Sequence, residues 1–400
     1  MRPLNIIKVD RKSLFEAAFA ASKTTLTTAK CSKCGLPIIL SCIVFDVKGQ
    51  VIDLVATNYY EHMKTSITTL HSTGNGRRFA VIACDLVPVL RLVEGESLTI
   101  EAYEYQVVFR HTYGSFTLPL VAENMDFLFE RIGLLEERLT DQSIELEAPF
   151  FKSMLNRLKK YFVDDPFRPI MNGICIRRKA GKIDYVASNG HRLVCITKKD
   201  EECALCSSLL IPDNVINVLR RIVPNTGFIR LNYSEWKEGI TENKNKSVCH
   251  ISIDNGTDLW FEPTEGKYPD YTKVIPLSFT CTCRIQRKML LRSLDRMSFL
   301  CADSRIIRVE MAENKINLCS KNMDSETEQT ETLPCDYKSQ PMSFGLSITN
   351  VMTVLSSFNC KDVIIQSTGS IRHAFVITPD NQTETETVTA LFMPYHVGED

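Results

Sequence analysis

Ile52-Asp53-Leu54-Val55-Ala56-Thr57-Asn58 sets apolar residues against polar or small ones and stops at a turn-prone asparagine, the pattern of a half-buried strand. The stretch returns twice, as Ile183-Asp184-Tyr185-Val186-Ala187-Ser188-Asn189 and as Ile316-Asn317-Leu318-Cys319-Ser320-Lys321-Asn322. The closing asparagines stand 131 and 133 residues apart. A near-constant spacing of this size indicates one structural unit present three times.

Two further landmarks keep the same order around each copy. Downstream, a short apolar strand runs into a helix. The pairs are Phe79-Ala80-Val81-Ile82 before Leu86–Leu90, Leu209-Leu210-Ile211 before Val215–Leu219, and Phe344-Gly345-Leu346 before Val351–Leu355. Asp85, Asp213 and Thr349 lie near those helix starts and are read as N-caps. Upstream, amphipathic helices are predicted near Lys12–Ser22, Pro149–Phe162 and Gln286–Leu300; in the second, Phe151, Met154, Leu155, Leu158, Tyr161 and Phe162 share one face. Each repeat therefore reads as two helices plus a set of strands, and the chain divides into domains 1–142, 143–277 and 278–400, for which the resemblance given below implies an α+β fold with antiparallel sheets.

Composition excludes more than it reveals. Hydrophobic residues make up 44% of the 400-residue chain and charged residues 24%, as in ordinary globular proteins. No apolar run approaches the roughly 18 residues that span a bilayer. The start at Met1-Arg2-Pro3-Leu4-Asn5 lacks secretory features. The expectation is a cytoplasmic protein with no membrane partner, its 15 cysteines reduced and mostly buried. With a net charge of −1, any nucleic-acid partner has to be argued from where the cations sit.

They sit on helices. Lys288, Arg292 and Arg296 follow one another at four-residue spacing and stack on one face of the third repeat's first helix, away from Leu290, Leu294 and Met297. Like charges at this spacing cost a helix roughly a few tenths of a kcal/mol per pair, so stability alone does not select them. Lys152, Arg157, Lys159 and Lys160 lie off the apolar face of the second repeat's first helix, and Arg220 and Arg221 add to its second. No aromatic platform for single strands and no base-reading pattern accompanies them. This points to sequence-independent contact with duplex phosphates.

Four motifs then resemble the bacterial β sliding clamp family, the β subunit of DNA polymerase III. They are Leu36-Pro37-Ile38-Ile39, Ser188-Asn189-Gly190-His191-Arg192-Leu193, Gly266-Lys267-Tyr268-Pro269-Asp270-Tyr271 with Val274-Ile275-Pro276, and Phe392-Met393-Pro394-Tyr395. Together they cover essentially the whole chain in the family's order. The resemblance implies the DNA-clamp fold: three similar domains per chain and a head-to-tail homodimeric ring with helices lining the central hole. It implies a non-catalytic protein without cofactor or metal, which encircles double-stranded DNA and tethers the polymerase α subunit and clamp-loader subunits through short linear motifs of the form Gln-x-x-Leu-Phe.

Site residues carry over on the same terms. One groove wall would be Ser188, Gly190, His191, Arg192 and Leu193; a second, Arg168, Met171, Pro269, Lys273 and Val274; the closing side, Leu391, Met393, Pro394 and Tyr395. Arg168 and Arg192 would hold the polar part of a peptide. Lys33 would join the basic helices on DNA, and Phe116 and Leu118 would meet Phe299 and Leu300 across the subunit interface. The sequence departs at Arg168-Pro169-Ile170-Met171-Asn172-Gly173, where the family has Arg-Tyr-Tyr-Leu-Asn-Gly. Lys237–Ser247 reads as a polar insertion, and Gly398-Glu399-Asp400 as an extension. Such drift also fits a specialised clamp paralogue or a non-catalytic DNA-binding scaffold serving repair.

Enzyme readings find little support. Cys31-x-x-Cys34 and Cys203-x-x-Cys206 have zinc or redox spacing but fall in different repeats. There is no nucleophile elbow and no phosphate-binding loop.

Overall fold

The computed structural model describes residues 3–73, 76–139, 143–162, 164–179, 181–199, 208–234, 247–322 and 325–396. The helices among them are α1 (Arg11–Ala21), α2 (Thr28–Cys34), α3 (Ala83–Leu92), α4 (Asp126–Glu136), α5 (Ala148–Leu158), α6 (Asp213–Ile222), α7 (Arg287–Met297) and α8 (Ile348–Ser356). Three times the chain runs strand, helix, four strands, helix, three strands, with α1 and α3, α5 and α6, and α7 and α8 as the helix pairs. The first run carries two helices beyond the expected pair, α2 and α4, and the third adds the short strand Asp336–Tyr337.

The hydrophobic patterns explain the elements. In α7, Leu290, Ser293, Leu294 and Met297 are buried at positions one, four, five and eight of a stripe. Cys281–Gln286 and Ile306–Ala312 alternate buried and open residues, as half-buried strands do. The capping expectation needs correction. α3 starts at Ala83 behind Ile82, which offers no side-chain cap, and Asp85 lies inside the first turn. Asp213 is itself the first residue of α6. Ser347 caps α8 by accepting the Asn350 N–H, so Thr349 does not. In each copy the strand runs directly into the helix, and in the third the strand's last residue, Ser347, caps it.

Two compact units emerge. One comprises Met1–Lys152 with Asn214–Pro263, the other Ser153–Asp213 with Thr264–Asp400. Each unit takes a terminal repeat and part of the central one, because backbone pairing crosses the repeats. In the first unit, Glu61–Ser72 pairs with Val51–Thr57 and Asn5–Asp10, and also with Thr257–Phe261. That sheet ends at Gly114–Pro119 on one side and Ser143–Glu147 on the other. In the second unit, Arg192–Lys199 pairs with Lys182–Ser188 on one side and Glu386–Phe392 on the other. A separate four-stranded sheet there runs from Thr327–Pro334 through Lys315–Asn322 and Ile306–Ala312 to Met342–Ser347.

The repeated strand carries a repeated polar device. Its third residue is Asp53, Asp184 or Asn317, and each bonds the hydroxyl residue paired with it on the next strand. Ser66 donates to Asp53 at 2.6 Å, Thr197 to Asp184 at 2.6 Å, and Thr332 to Asn317 at 3.0 Å. Asp53 also holds Lys48 Nζ at 2.8 Å, and Asp184 also accepts the Tyr271 hydroxyl at 2.5 Å. Asp53 and Asp184 are buried; Asn317 is not. Removing a buried acceptor strands its donors, whereas removing a half-open one lets water replace it. Asp184→Ala should therefore lower stability by about 3 kcal/mol and Asn317→Ala by about 1 kcal/mol or less, read from urea unfolding at neutral pH. Equal losses would show that burial does not set the strength of the device.

Candidate protein-binding groove and nucleic-acid interface

Within the second unit, three of the four motifs quoted above converge on one apolar floor. Leu193 and Leu391 are buried in a cluster with Cys175, Val186, Tyr268 and Tyr271, and Ile170, Ile275, Phe279 and Met393 pack against it. Tyr271 is fixed by its bond to Asp184, and burial, followed by that carboxylate, pushes its hydroxyl pKa well up. The two tyrosines of the Tyr-Pro-Asp-Tyr stretch are thus floor, and Pro269 and Lys273 are exposed beside them. Val274 is half exposed, next to Ile275 on the cluster. Tyr268, Tyr271, Ile170 and Phe279 were missed from sequence; the three-residue spacing of the tyrosines was the available signal.

The turn between the two central strands is closed by its own side chains. Ser188 is buried, and its hydroxyl donates to the Arg192 carbonyl and accepts the Gly190 N–H. Asn189 Oδ1 accepts the N–H groups of His191 and Arg192. Ser188 therefore shapes the turn. Gly190 has φ +89°, where any side chain would be strained, and a Cβ there would lie 2.8 Å from Arg168 Nη1, so the Arg168 guanidinium lies over the turn. Arg168 is also tied to Asp165 at 2.8 Å. His191 is exposed.

Arg192 does something other than expected. Its side chain is buried, with 7% of the residue exposed. Nη1 donates to Asn350 Oδ1 at 3.1 Å and Thr353 Oγ1 at 3.2 Å, and Nη2 to the Lys160 carbonyl at 2.8 Å. Burial lowers its pKa. The guanidinium joins the segment after α5 to α8, and the expectation that it holds a peptide gives way to a structural role.

The C-terminal stretch is sewn in on two sides. The Met393 N–H donates to the His191 carbonyl at 2.9 Å, and Tyr395 exchanges two backbone bonds with Gly345. Met393, Pro394 and Tyr395 stay half-buried. Pro169 opens a one-turn 3-10 helix, Pro169–Met171, a position where its missing N–H costs nothing. That turn leaves Met171 half-buried and sets Ile170 on the floor against Gly266.

The expected DNA contacts divide into two sets. Lys33 (in the last turn of α2), Arg221, Lys288 and Arg292 are exposed, while Lys152 and Arg220 are half-buried. Arg157 is bound to Glu386 at 3.3 Å and to the Ser357 carbonyl, and Lys159 to Asp213 at 2.6 Å. Arg296 grips Glu331 with two bonds of 2.9 and 2.6 Å, which also hold the Glu331 carboxyl below its usual range. These three side chains are engaged in ion pairs that sequence spacing could not reveal.

The four expected interface residues also differ. Phe116 and Leu118 are half-buried on the outermost strand, with Phe116 stacked on Phe109 at 4.8 Å. Phe299 and Leu300, just past α7, are 80% and 45% exposed. Of the paired cysteine motifs, Cys31 is buried and Cys34 exposed, whereas Cys203 and Cys206 lie outside the described residues. So do most of Lys237–Ser247 and the last four residues, Val397–Asp400. Burial pushes Cys42 and Cys175 up to about 12, keeping both as thiols at neutral pH. Among the described residues no helix is long and apolar enough to cross a membrane.

Comparison with known proteins agrees with this geometry. The family model for the C-terminal domain of the DNA polymerase III β subunit matches residues 272–395. The β sliding clamp of Haemophilus influenzae is 22% identical over 331 residues, covering 81% of this chain and 84% of that one. That of Pseudomonas putida is 22% identical over 356 residues, covering 85% and 92%. The crystal structure of the Thermotoga maritima DNA polymerase III β subunit superposes with a TM-score of 0.82 at 17% identity, over 98% of this chain and all of that one. The fold is the α+β DNA-clamp fold, residues 272–395 match the C-terminal domain of the DNA polymerase III β subunit, and the chain resembles β sliding clamps over more than four fifths of its length.

Proposed function

We propose that the chain is a processivity clamp: two copies close head to tail around duplex DNA, and the groove over the Leu193–Leu391 floor holds short linear motifs of a polymerase and of clamp-loader subunits. The observation that carries this reading is the groove itself. An apolar floor with an adaptable Met393, a backbone-exposing Gly190 and a rim of Arg168, Met171, Pro269, Lys273 and Val274 suits an extended peptide with Leu or Phe anchors. His191, Pro394 and Tyr395 would border the same groove. Of the two arginines expected to meet the peptide's polar end, Arg168 is the one whose side chain is open to it, since Arg192 is committed inside.

Ring closure is supported by two sheet ends and an apolar pair. Gly114–Pro119 and Thr327–Pro334 are terminal strands, and terminal strands recruit partners unless protected. Phe299 and Leu300 are apolar side chains outside the core, which an interface with Phe116 and Leu118 would cover. On the DNA side, Lys33, Lys152, Arg220, Arg221, Lys288 and Arg292 would supply weak, sequence-independent phosphate attraction, which permits sliding.

Retention on nicked circular DNA tests the reading. The loaded protein should stay on the circle and leave when it is linearised, and Phe299→Ala with Leu300→Lys should give folded monomers that are not retained. Retention that ignores linearisation would rule out encirclement.

The groove has its own test. Met393→Asp should weaken binding of a Gln-x-x-Leu-Phe peptide by a hundredfold or more, about 3 kcal/mol, since a carboxylate would enter an apolar floor. Dimer mass in light scattering should not change. Unaltered peptide affinity would place the binding site elsewhere.

A further inference from the structure

Strand registers give the first unit a copy of the groove floor. In the second unit Cys175 pairs with Val186 and Leu210, and Leu391 pairs with Leu193. In the first unit Val44 pairs with Val55 and Ala80 in the same way, and Trp260 pairs with His62. Cys175, Val186, Leu210 and Leu391 belong to the cluster beneath the groove, and Val44, Val55, Ala80 and Trp260 are buried together in a cluster of their own. The turn above the floor is copied too. Thr57 Oγ1 donates to the Glu61 carbonyl and accepts the Tyr59 N–H, and Asn58 Oδ1 accepts the N–H groups of Tyr60 and Glu61. These are the bonds of Ser188 and Asn189, and Tyr59 takes the left-handed backbone of Gly190, with φ +80°. Glu61 is buried like Arg192 and, like it, is tied to an asparagine in the first turn of a later helix, Asn214 of α6.

This copy is covered. Leu128, Ile132 and Leu135 of α4, spaced four and three residues apart, are buried on the cluster that holds Trp260, and Phe127 and Phe129 pack against it. Arg131 of α4 bonds Glu262 at 2.9 Å. Glu262 follows Phe261 as Met393 follows Phe392, and those phenylalanines face Glu61 and Arg192 in their ladders. The helix therefore lays apolar side chains on the floor and a guanidinium on the residue that holds the Met393 position. Burial, followed by the charge of Arg131, pulls His62, in the Leu193 position, down to about 4, so its imidazole is neutral at neutral pH. The matching linker after the second repeat, 262–280, holds among the described residues only the one-turn helix Tyr271–Lys273.

We propose that the first unit carries a second binding groove, suited to an amphipathic helix with an apolar stripe and one central cation, and that α4 is its resident occupant. An open copy of an apolar floor would invite unwanted partners, and an occupant tethered to the same chain covers it at high effective concentration. Such an occupant opens by itself while the floor strands stay paired. The inference rests on the strand registers and holds whether or not the second unit's groove takes a peptide.

Amide hydrogen exchange in the intact chain tests it. The α4 amides should exchange about tenfold or more faster than those of Val51–Thr57 and Thr257–Phe261. Arg131→Gln should speed exchange in α4 about threefold further and leave both strands unchanged. One common rate for α4 and those strands in both proteins would make the helix ordinary core and overturn the proposal. Capture in trans is the second measurement. A full chain with Asp126–Glu136 replaced by a glycine–serine stretch of equal length should bind a synthetic peptide of residues 124–139, one per chain, in calorimetry. An excess of Gln-x-x-Leu-Phe peptide keeps the second unit's groove out of the reading. The 124–139 peptide carrying Arg131→Glu should bind about tenfold more weakly, and Glu262→Arg in the chain should restore it. No binding by the folded variant, or equal binding of the two peptides, overturns the proposal. If the loop-replaced chain does not fold, the exchange result alone decides.

Discussion

Backbone hydrogen bonding across repeats is the constraint on which the molecule depends. A strand flanked by apolar neighbours cannot leave its N–H and C=O groups unpaired without a cost comparable to lost hydrogen bonds. Glu61–Ser72 meets this need with three partner strands, one of them Thr257–Phe261 from the central repeat. Arg192–Lys199 meets it with Glu386–Phe392 from the third. The repeats are therefore units of sequence, while the compact bodies are built around the seams that join them. The groove is a product of one seam: its floor residues Leu193 and Leu391 are opposite each other in that ladder.

The periodic features were legible because they are local. The repeated strand, the strand-to-helix junctions and the amphipathic stripes each depend on residues a few positions apart, and all three copies fold as their patterns imply. What the pattern could not carry were partners distant in the chain. Arg157 and Lys159 look like solvated cations until Glu386 and Asp213 are placed beside them. Arg192 looks like a ligand-facing residue until Asn350 and the Lys160 carbonyl enclose it. Short motifs named most residues of the candidate groove, but their division into floor, turn and rim required burial, which no single stretch encodes.

The three copies also show how one position is adapted to its surroundings. Asp53 and Asp184 keep a buried charge because each has a second partner, an ammonium in one case and a phenol in the other. Asn317 faces a less buried site with one hydroxyl partner, and a neutral amide suffices. Position in the repeat sets the geometry of the bond, and the number of partners sets whether a carboxylate can be buried there.

The double stitching of residues 391–395 has a consequence for how such a protein can change. Leu391 is a ladder residue and groove floor at once, and Gly345 has no room for a side chain because Tyr395 lies against it. Substitutions at Leu391 alter the strand ladder and the groove floor together, so the two are rarely separable. Met171, Lys273 and Val274 carry no such double duty. A lineage that acquires new partners therefore has freedom at the rim and almost none at the floor, which makes the groove a fixed socket with an interchangeable collar.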